Sequence, residues 1–225
     1  FSTKGAVHFL LFIILYKLGD AFAGSLTTPF LLKGVGFAQA EIGVVNKVIG
    51  IWLTIIGAIM GGAIMMRLGL YRSLLIFGLL QLLSNLSFYL VAISTKGAWG
   101  SFTLPAFDFL IVSLKEPTVV DLMLLFAIGV ENLTGGMGTA AFVAFLMSLC
   151  NQKFTATQYA LLSAFASVGR VWVGPLSGVL SVSIGWPMFF IFSTLMAIPG
   201  LVILVMMKVR VKELEVIPGS HLSDE

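Results

Sequence analysis

Five charged residues interrupt the long apolar runs of this sequence, and they are the first candidates for chemistry. Lys17 and Asp20 lie three residues apart in one run, and Lys47, Glu131 and Arg170 lie in three others. A charged side chain near the centre of a membrane-spanning helix costs about 2.5–3.5 kcal/mol on insertion scales. Five such residues therefore predict a shared polar cavity inside a helix bundle, and their excess of positive charge favours an anionic ligand.

Lys17 and Asp20 share one helix face with Gly24, because three and four residues separate these positions. The pair could line a cavity, with Lys17 binding the ligand and Asp20 coupling protons, or it could only neutralise itself within the bilayer. Lys47 is a second ligand-binding candidate. It lies six residues after Glu41, about 9 Å along a helix axis, so its side chain could instead extend to the membrane surface.

The segment ENLTGGMGTAAFVAFLM places Glu131 beside Asn132, with Gly135 and Gly138 on the face of Glu131. No lysine or arginine on that helix face can neutralise the carboxyl group. A carboxyl group shielded from water can bind and release a proton near neutral pH. Glu131 is therefore the first candidate for proton coupling, ahead of Asp20, and Asn132 is a candidate for ligand binding. The alternative is a neutral glutamic acid that only joins two helices.

Arg170 lies in the middle of its apolar run, so its side chain cannot easily reach the membrane surface. The planar guanidinium group suits bidentate contacts with carboxylates or phosphates. It could bind these groups on a ligand, or it could form a structural ion pair with Glu131 or Asp20. Both arrangements could alternate during a functional cycle.

Composition excludes several classes of protein. Hydrophobic residues make up 59% of the 225 residues and charged residues only 10%, whereas about 25% is usual for a soluble domain. No basic run suggests nucleic-acid binding. A single cysteine and two distant histidines, His8 and His221, predict no disulfide framework and no metal site. No pattern of His, Cys or Ser with a base predicts an enzyme, and no cofactor is expected.

Six apolar runs are long enough to cross a bilayer, which takes about 20 residues. We predict a six-helix transmembrane bundle over residues 1–212 and a short disordered tail over residues 213–225. Lysine and arginine are more frequent on the side that would hold both termini, which predicts that both termini are cytoplasmic. The predicted spans are 7–32, 41–66, 73–94, 121–149, 157–183 and 187–207.

Residues 95–120 do not form a seventh predicted span. Their uninterrupted apolar piece, residues 109–114, is too short, and prolines and charged residues flank it. We expect a loop at the membrane surface, in which a short interfacial helix could form.

Several segments together resemble the AmpG-type muropeptide permeases, which belong to the major facilitator superfamily. The resemblance covers about residues 8–207. It is carried by ENLTGGMGTAAFVAFLMSLCN, FTATQYALLSAFASVGRVWVGPLSG, RLGLYRSLL, GVGFAQAEIGVVNK and LYKLGDAFAGSLTTPFL. The fold class it implies is an all-α membrane protein, the six-transmembrane-helix, carboxyl-terminal half of a major facilitator superfamily transporter with twelve helices.

The resemblance also implies a function, proton-coupled import of anhydromuropeptides for cell-wall recycling across the bacterial inner membrane. The implied partners are protons, an anionic substrate, the lipid bilayer, and a missing amino-terminal six-helix half or a second copy. Within transport, the alternative is a facilitator for another anionic metabolite such as acetyl-coenzyme A. Outside transport, it is a non-transporting membrane remnant.

Overall fold

The computed structural model describes residues 3–109, 112–150 and 155–215, and most of these residues are helical. Two π-helical segments, Phe30–Val35 and Val45–Gly50, directly follow the α-helices Leu18–Pro29 and Gln39–Val44. The α-helices are α1 (Thr3–Tyr16), α2 (Leu18–Pro29), α3 (Gln39–Val44), α4 (Ile51–Leu68), α5 (Leu70–Ile93), α6 (Leu122–Ser148), α7 (Thr155–Met206) and α8 (Lys208–Glu213).

Among the residues that the structure describes, five helical stretches are long and apolar enough to cross a membrane: Val7–Val35, Gln39–Leu68, Leu70–Ile93, Leu122–Ser148 and Thr155–Met206. The last has 52 residues. As one helix it would be about 78 Å long, whereas a bilayer core is about 30 Å thick. Gly185, with φ 75° and ψ 166°, breaks it into 155–184 and 186–206, which supply two passes. The predicted fold class, a helical membrane protein, is confirmed, and the number of membrane-spanning stretches agrees roughly with the six that were predicted.

Glycines allow α4 and α6 to approach closely, and both helices carry polar side chains of the site described below. A Cβ atom at Gly57 would collide with the backbone carbonyl of Leu133. A Cβ atom at Gly136 would collide in the same way with the carbonyl of Thr54. Because no side chain separates the two backbones here, Thr54 of α4 reaches Asn132 of α6 directly.

The segment between α5 and α6 forms an antiparallel β-hairpin, so the expected interfacial helix is wrong. The alternation of Phe, Thr, Ser and Val in this segment suits strands. Pro105 and Pro117, which cannot donate to a strand ladder, lie outside the strands. Strands β1 and β4 pair, as do β2 and β3. The strands are β1 (Ser101–Leu104), β2 (Phe107–Phe109), β3 (Val112–Leu114) and β4 (Thr118–Asp121).

The chain after α7 packs against the start of α5. Helix α8 ends at Glu213, and the carboxylate Oε1 of Glu215 accepts a hydrogen bond of 2.6 Å from the backbone N–H of Tyr71. Leu214 and Glu215, near the start of the predicted tail, therefore contact the bundle. Residues 216–225 lie outside the described residues.

Candidate functional site

A polar cavity of about 810 Å³ lies among the membrane-spanning helices, and we call it the central cavity. Five of the six residues predicted from the sequence line it, namely Lys17, Asp20, Lys47, Glu131 and Asn132. The remaining wall residues are Gly24, Thr27, Thr28, Gln39, Ile42, Gly43, Asn46, Thr54, Gln81, Ser84, Asn85, Gly135, Gly136 and Thr139.

Lys17 and Asp20 form an ion pair at the junction of α1 and α2. The distance from Lys17 Nζ to Asp20 Oδ2 is 3.2 Å, and the two side chains are 14% and 28% exposed. Gln81 of α5 donates from Nε2 to the same carboxylate oxygen at 2.6 Å. Lys17 also donates to Gln81 Oε1 at 3.4 Å and to the Thr139 hydroxyl oxygen at 3.5 Å. The pair is thus held by side chains from two other helices, α5 and α6.

Glu131 is half-buried in the wall formed by α6. Its backbone carbonyl accepts a hydrogen bond from the Thr134 hydroxyl. Its carboxyl group has no hydrogen bond or ion pair with any residue that the structure describes. Within the described ranges, the Glu131 carboxyl group therefore does not join two helices by a hydrogen bond, as the alternative interpretation would require.

The Asn132 side chain forms hydrogen bonds to both α6 and α4. Its Nδ2 donates to the Ile128 carbonyl at 2.8 Å, and its Oδ1 accepts from the Thr54 hydroxyl at 2.9 Å. Gly50 makes room for it, since a Cβ atom there would lie 3.1 Å from Nδ2. The amide therefore reaches the cavity wall with both polar atoms already engaged.

Lys47 lies on the π-helical segment Val45–Gly50, and its side chain is exposed. A π-helical segment inside a helix displaces the following side chains, and such segments often occur at functional sites. Here the segment directs Asn46 and Lys47 into the cavity wall. No acidic group pairs with Lys47 among the described residues.

Arg170 lies in a neighbouring cavity of about 470 Å³, which we call the side cavity. The side cavity shares Lys17 and Asp20 with the central cavity and also contains Ser25 and Ser167. The Arg170 side chain is exposed. Within the described ranges it forms no ion pair with Glu131 or Asp20.

Sequence reasoning missed the polar face of α5. Gln81, Ser84 and Asn85 line the central cavity, and all three are buried. Their spacing of three and four residues places them on one helix face, so a polar stripe in an apolar run was the available signal. Neutral polar residues are less costly in a membrane than charged ones, which makes this signal weaker.

The charges of the two cavities are not balanced locally. Lys17 and Asp20 neutralise each other. Lys47, Arg170 and Glu131 have no charged partner in the part of the chain that the structure describes. Two unpaired cations and one unpaired carboxyl group can together accept an anionic ligand and exchange a proton.

Comparison with known proteins places this arrangement in context. No family model matches the chain. It is 48% identical over 204 residues to the anhydromuropeptide permease of Escherichia coli (strain K12). It is 37% identical over 202 residues to putative transporter AmpG 1 of Rickettsia prowazekii, and 34% identical over 211 residues to putative transporter AmpG 4 of Rickettsia conorii.

These matches cover between 90% and 94% of this chain. They cover only between 37% and 45% of the three relatives, so the chain spans less than half of their length. Over nearly its whole length this chain is therefore similar to a part of the AmpG-type permeases, which confirms the family resemblance that its motifs predicted.

Proposed function

We propose that this chain is the carboxyl-terminal half of a transporter of the major facilitator superfamily that imports anhydromuropeptides together with protons. The observation that carries the proposal is the central cavity, in which Glu131 and Lys47, both without a charged partner among the described residues, line one space among membrane-spanning helices. The similarity to the anhydromuropeptide permease of E. coli supports the choice of substrate.

The unpaired cations are the proposed contacts for the substrate. An unpaired charge inside a helix bundle is costly unless water or a ligand solvates it. Lys47 in the central cavity and Arg170 in the side cavity would therefore bind carboxylates of a peptide substrate. Arg170 offers a bidentate contact and Lys47 a single flexible one.

Glu131 is the proposed proton-coupling group, with Asp20 as the second candidate. When Glu131 binds a proton, the negative charge that would repel an anionic substrate disappears from the cavity. Proton and substrate then favour the same loaded state, which is the thermodynamic requirement for coupled transport. Asp20 already interacts with Lys17 and Gln81, so it would take part only after those contacts open.

Lys17 and Asn132 complete the proposed substrate-binding set. Both already have partners within the wall, Lys17 with Asp20 and Asn132 with Thr54. We propose that they meet the substrate after these contacts rearrange, whereas Lys47 and Arg170 are available at once.

A single half supplies one wall of a transport pathway. Alternating access in this superfamily needs two halves that rock around a shared site. We therefore propose an amino-terminal six-helix half, or a second copy, as the partner that closes the central cavity. The distribution of lysine and arginine supports an orientation in the bacterial inner membrane with both termini cytoplasmic.

The direct test is uptake of radiolabelled anhydromuropeptide by recycling-deficient cells that express the full-length gene containing this sequence. We expect uptake that collapses when the proton gradient is dissipated. An excess of unlabelled anhydromuropeptide should compete. Competition by acetyl-coenzyme A instead would favour the other anionic substrate, and no uptake at all would favour a non-transporting remnant.

The change Glu131→Gln tests the proton site. It removes the titratable group while keeping the size of the side chain, so proton-driven uptake should be lost while exchange of substrate across the membrane continues. The matched control is Glu116→Gln on the hairpin, where the side chain is exposed, and uptake there should be unchanged. Normal proton-dependent uptake by the Glu131→Gln variant would contradict the assignment.

A further inference from the structure

We propose that Gln81 is a positioning residue that locks Lys17 to Asp20, so that an incoming anion meets Lys47 and Arg170 before it meets Lys17. The lock is a property of the folded helices and can be tested without any substrate. Only its consequence for the ligand rests on the proposed function.

One amide side chain serves both members of the ion pair. Gln81 Nε2 donates to Asp20 Oδ2 at 2.6 Å, which is shorter than the 3.2 Å between Lys17 Nζ and the same oxygen. Gln81 Oε1 accepts from Lys17 Nζ at 3.4 Å. Lys17 and Asp20 lie three residues apart at the start of α2. The amide that accepts from Lys17 and donates to Asp20 comes from a different helix, α5. Gln81 is only 6% exposed, so the amide is held by its surroundings.

Gly138 on α6 provides the space in which this amide lies. A Cβ atom at position 138 would collide with Oε1 of Gln81, and it would lie 2.6 Å from the amide carbon Cδ. The contact is with the far end of the Gln81 side chain, not with its backbone. A methyl group at 138 would therefore displace the amide while leaving the α5 and α6 backbones free to stay in place.

No other polar group around the pair, among the described residues, contacts both Lys17 and Asp20 as Gln81 does. Among the described residues, Thr139 is the remaining partner of Lys17, at 3.5 Å. The nearby Tyr16 hydroxyl donates to the Leu74 carbonyl at 2.9 Å and is already engaged. Glu131, Lys47 and Arg170 share cavity walls with Asp20 but form no ion pair with it in the described part of the chain.

The Gln81 contacts determine which cations contribute net positive charge to the two cavities. With its charge matched by Asp20 and its donors engaged, Lys17 contributes little net field to the cavity. Lys47 and Arg170, which have no acidic partner within the described ranges, lie on different elements, Lys47 after α3 and Arg170 in α7. They line two cavities that meet at the Lys17–Asp20 pair. The wall therefore suits an anion with two separated acidic groups that extends past the locked pair.

The test is amine acetylation of the full-length gene product in detergent, read by mass spectrometry at individual lysines. Lys47, which is exposed and unpaired among the described residues, serves as the internal reference in the same cavity. In the Gln81→Leu variant, loss of a charge-assisted hydrogen bond should raise the Lys17-to-Lys47 labelling ratio between about three- and tenfold. Because Lys47 is already exposed, general loosening of the fold would also raise this ratio, so the melting temperature of each variant is measured in the same detergent. A rise in the ratio that occurs only together with a lowered melting temperature would contradict a specific role for Gln81.

A second variant keeps Gln81 but displaces it. Gly138→Ala should raise the same ratio, and it should add nothing in a Gln81→Ala background, where no amide remains to collide with. Gly62→Ala, at a position where a Cβ atom meets nothing within 4 Å, and Leu83→Ala, on the exposed side of α5, are the matched controls and should leave the ratio unchanged.

An unchanged ratio in both Gln81→Leu and Gly138→Ala would overturn the proposal, as would equal labelling of Lys17 and Lys47 in the unmodified protein. Because labelling requires no substrate, failure of anhydromuropeptide uptake would count against the proposed function and leave the result on Gln81 standing.

Discussion

Two regions of this molecule hold shielded carboxyl groups, and they surround those groups differently. In the first, which we call the hairpin clamp, Glu41, Lys96, Gly97 and Asp121 join the start of α3, the segment after α5 and the end of the hairpin. Glu41 is 4% exposed and Asp121 is 2% exposed. In the second region, the central cavity, Glu131 is half-buried and its carboxyl group has no partner among the described residues.

The carboxylates of the hairpin clamp are saturated with donors. Asp121 Oδ1 accepts from the N–H groups of Met123 and Leu124, at 2.8 and 3.1 Å, and so caps α6. Its Oδ2 accepts from the N–H of Gly97 at 2.7 Å. Glu41 accepts from the N–H of Asp121 at 2.9 Å and from Lys96 at 3.1 Å.

The comparison shows that two acidic residues of one helical segment can have different roles, one in stability and one in function. Asp121 and Glu131 lie at the start and in the middle of the same helical segment. A carboxylate whose oxygens all accept hydrogen bonds stabilises the fold, because it caps the start of a helix and joins segments that are distant in the sequence. A carboxyl group without partners adds no such stabilisation and remains available to a proton or a ligand. We therefore expect substitutions in the clamp to change stability and substitutions at Glu131 to change transport.

The largest effect on stability is expected for Asp121→Ala. The change removes the cap of α6 and the acceptor of the Gly97 N–H, which should destabilise the protein by about 1–3 kcal/mol. Thermal unfolding of the full-length gene product in detergent measures this. Asp108→Ala, on the same hairpin at an exposed position, is the control. Equal melting temperatures for both variants would show that the clamp is not a stabilising element.

A smaller effect is expected for Glu41→Gln. The amide can still accept from the N–H of Asp121, but it loses the charge that pairs with Lys96, for a cost of about 1 kcal/mol. Proton-driven uptake should survive in this variant, in contrast to Glu131→Gln. If Glu41→Gln abolished proton coupling while the protein stayed folded, the division between the two regions would be wrong.

The smallest effect is expected for Lys96→Met. The Lys96 side chain is 43% exposed, so solvent screens its ion pair with Glu41 and its loss should cost less than about 1 kcal/mol. The difference from the unmodified protein should shrink further at high salt. Unfolding measured at low and high salt tests this, and a loss as large as that of Asp121→Ala would mean that Lys96, not the backbone donors, holds the clamp together.

Hydrophobic patterning predicted most of the fold. Apolar runs of sufficient length predicted membrane-spanning helices, because a bilayer leaves few alternatives to a helix for an apolar segment. The break at Gly185 was also foreseen, since SIGWP separated two predicted spans. The hairpin was not, because a short segment at the membrane surface can satisfy its backbone either in a helix or in a strand pair.

The polar site was predictable in part. Lys17 and Asp20 could be paired from their spacing alone, because helical periodicity brings residues three apart to one face. Gln81 was not foreseen, because its role depends on how α5 and α6 approach each other at Gly138. The same limit applies to Arg170, whose place in the side cavity depends on how α7 packs against α2.

For this protein, residue types and their order were enough to establish an apolar helix bundle with charged groups inside it, because burial of charge in a membrane is costly wherever it occurs. They were also enough to reveal the family resemblance. Which charges are engaged and which are left without partners was decided only when the helices packed. Hydrogen bonds extend only about 3 Å, so they depend on the contacts of Gly138 and Gly136 rather than on distance along the chain.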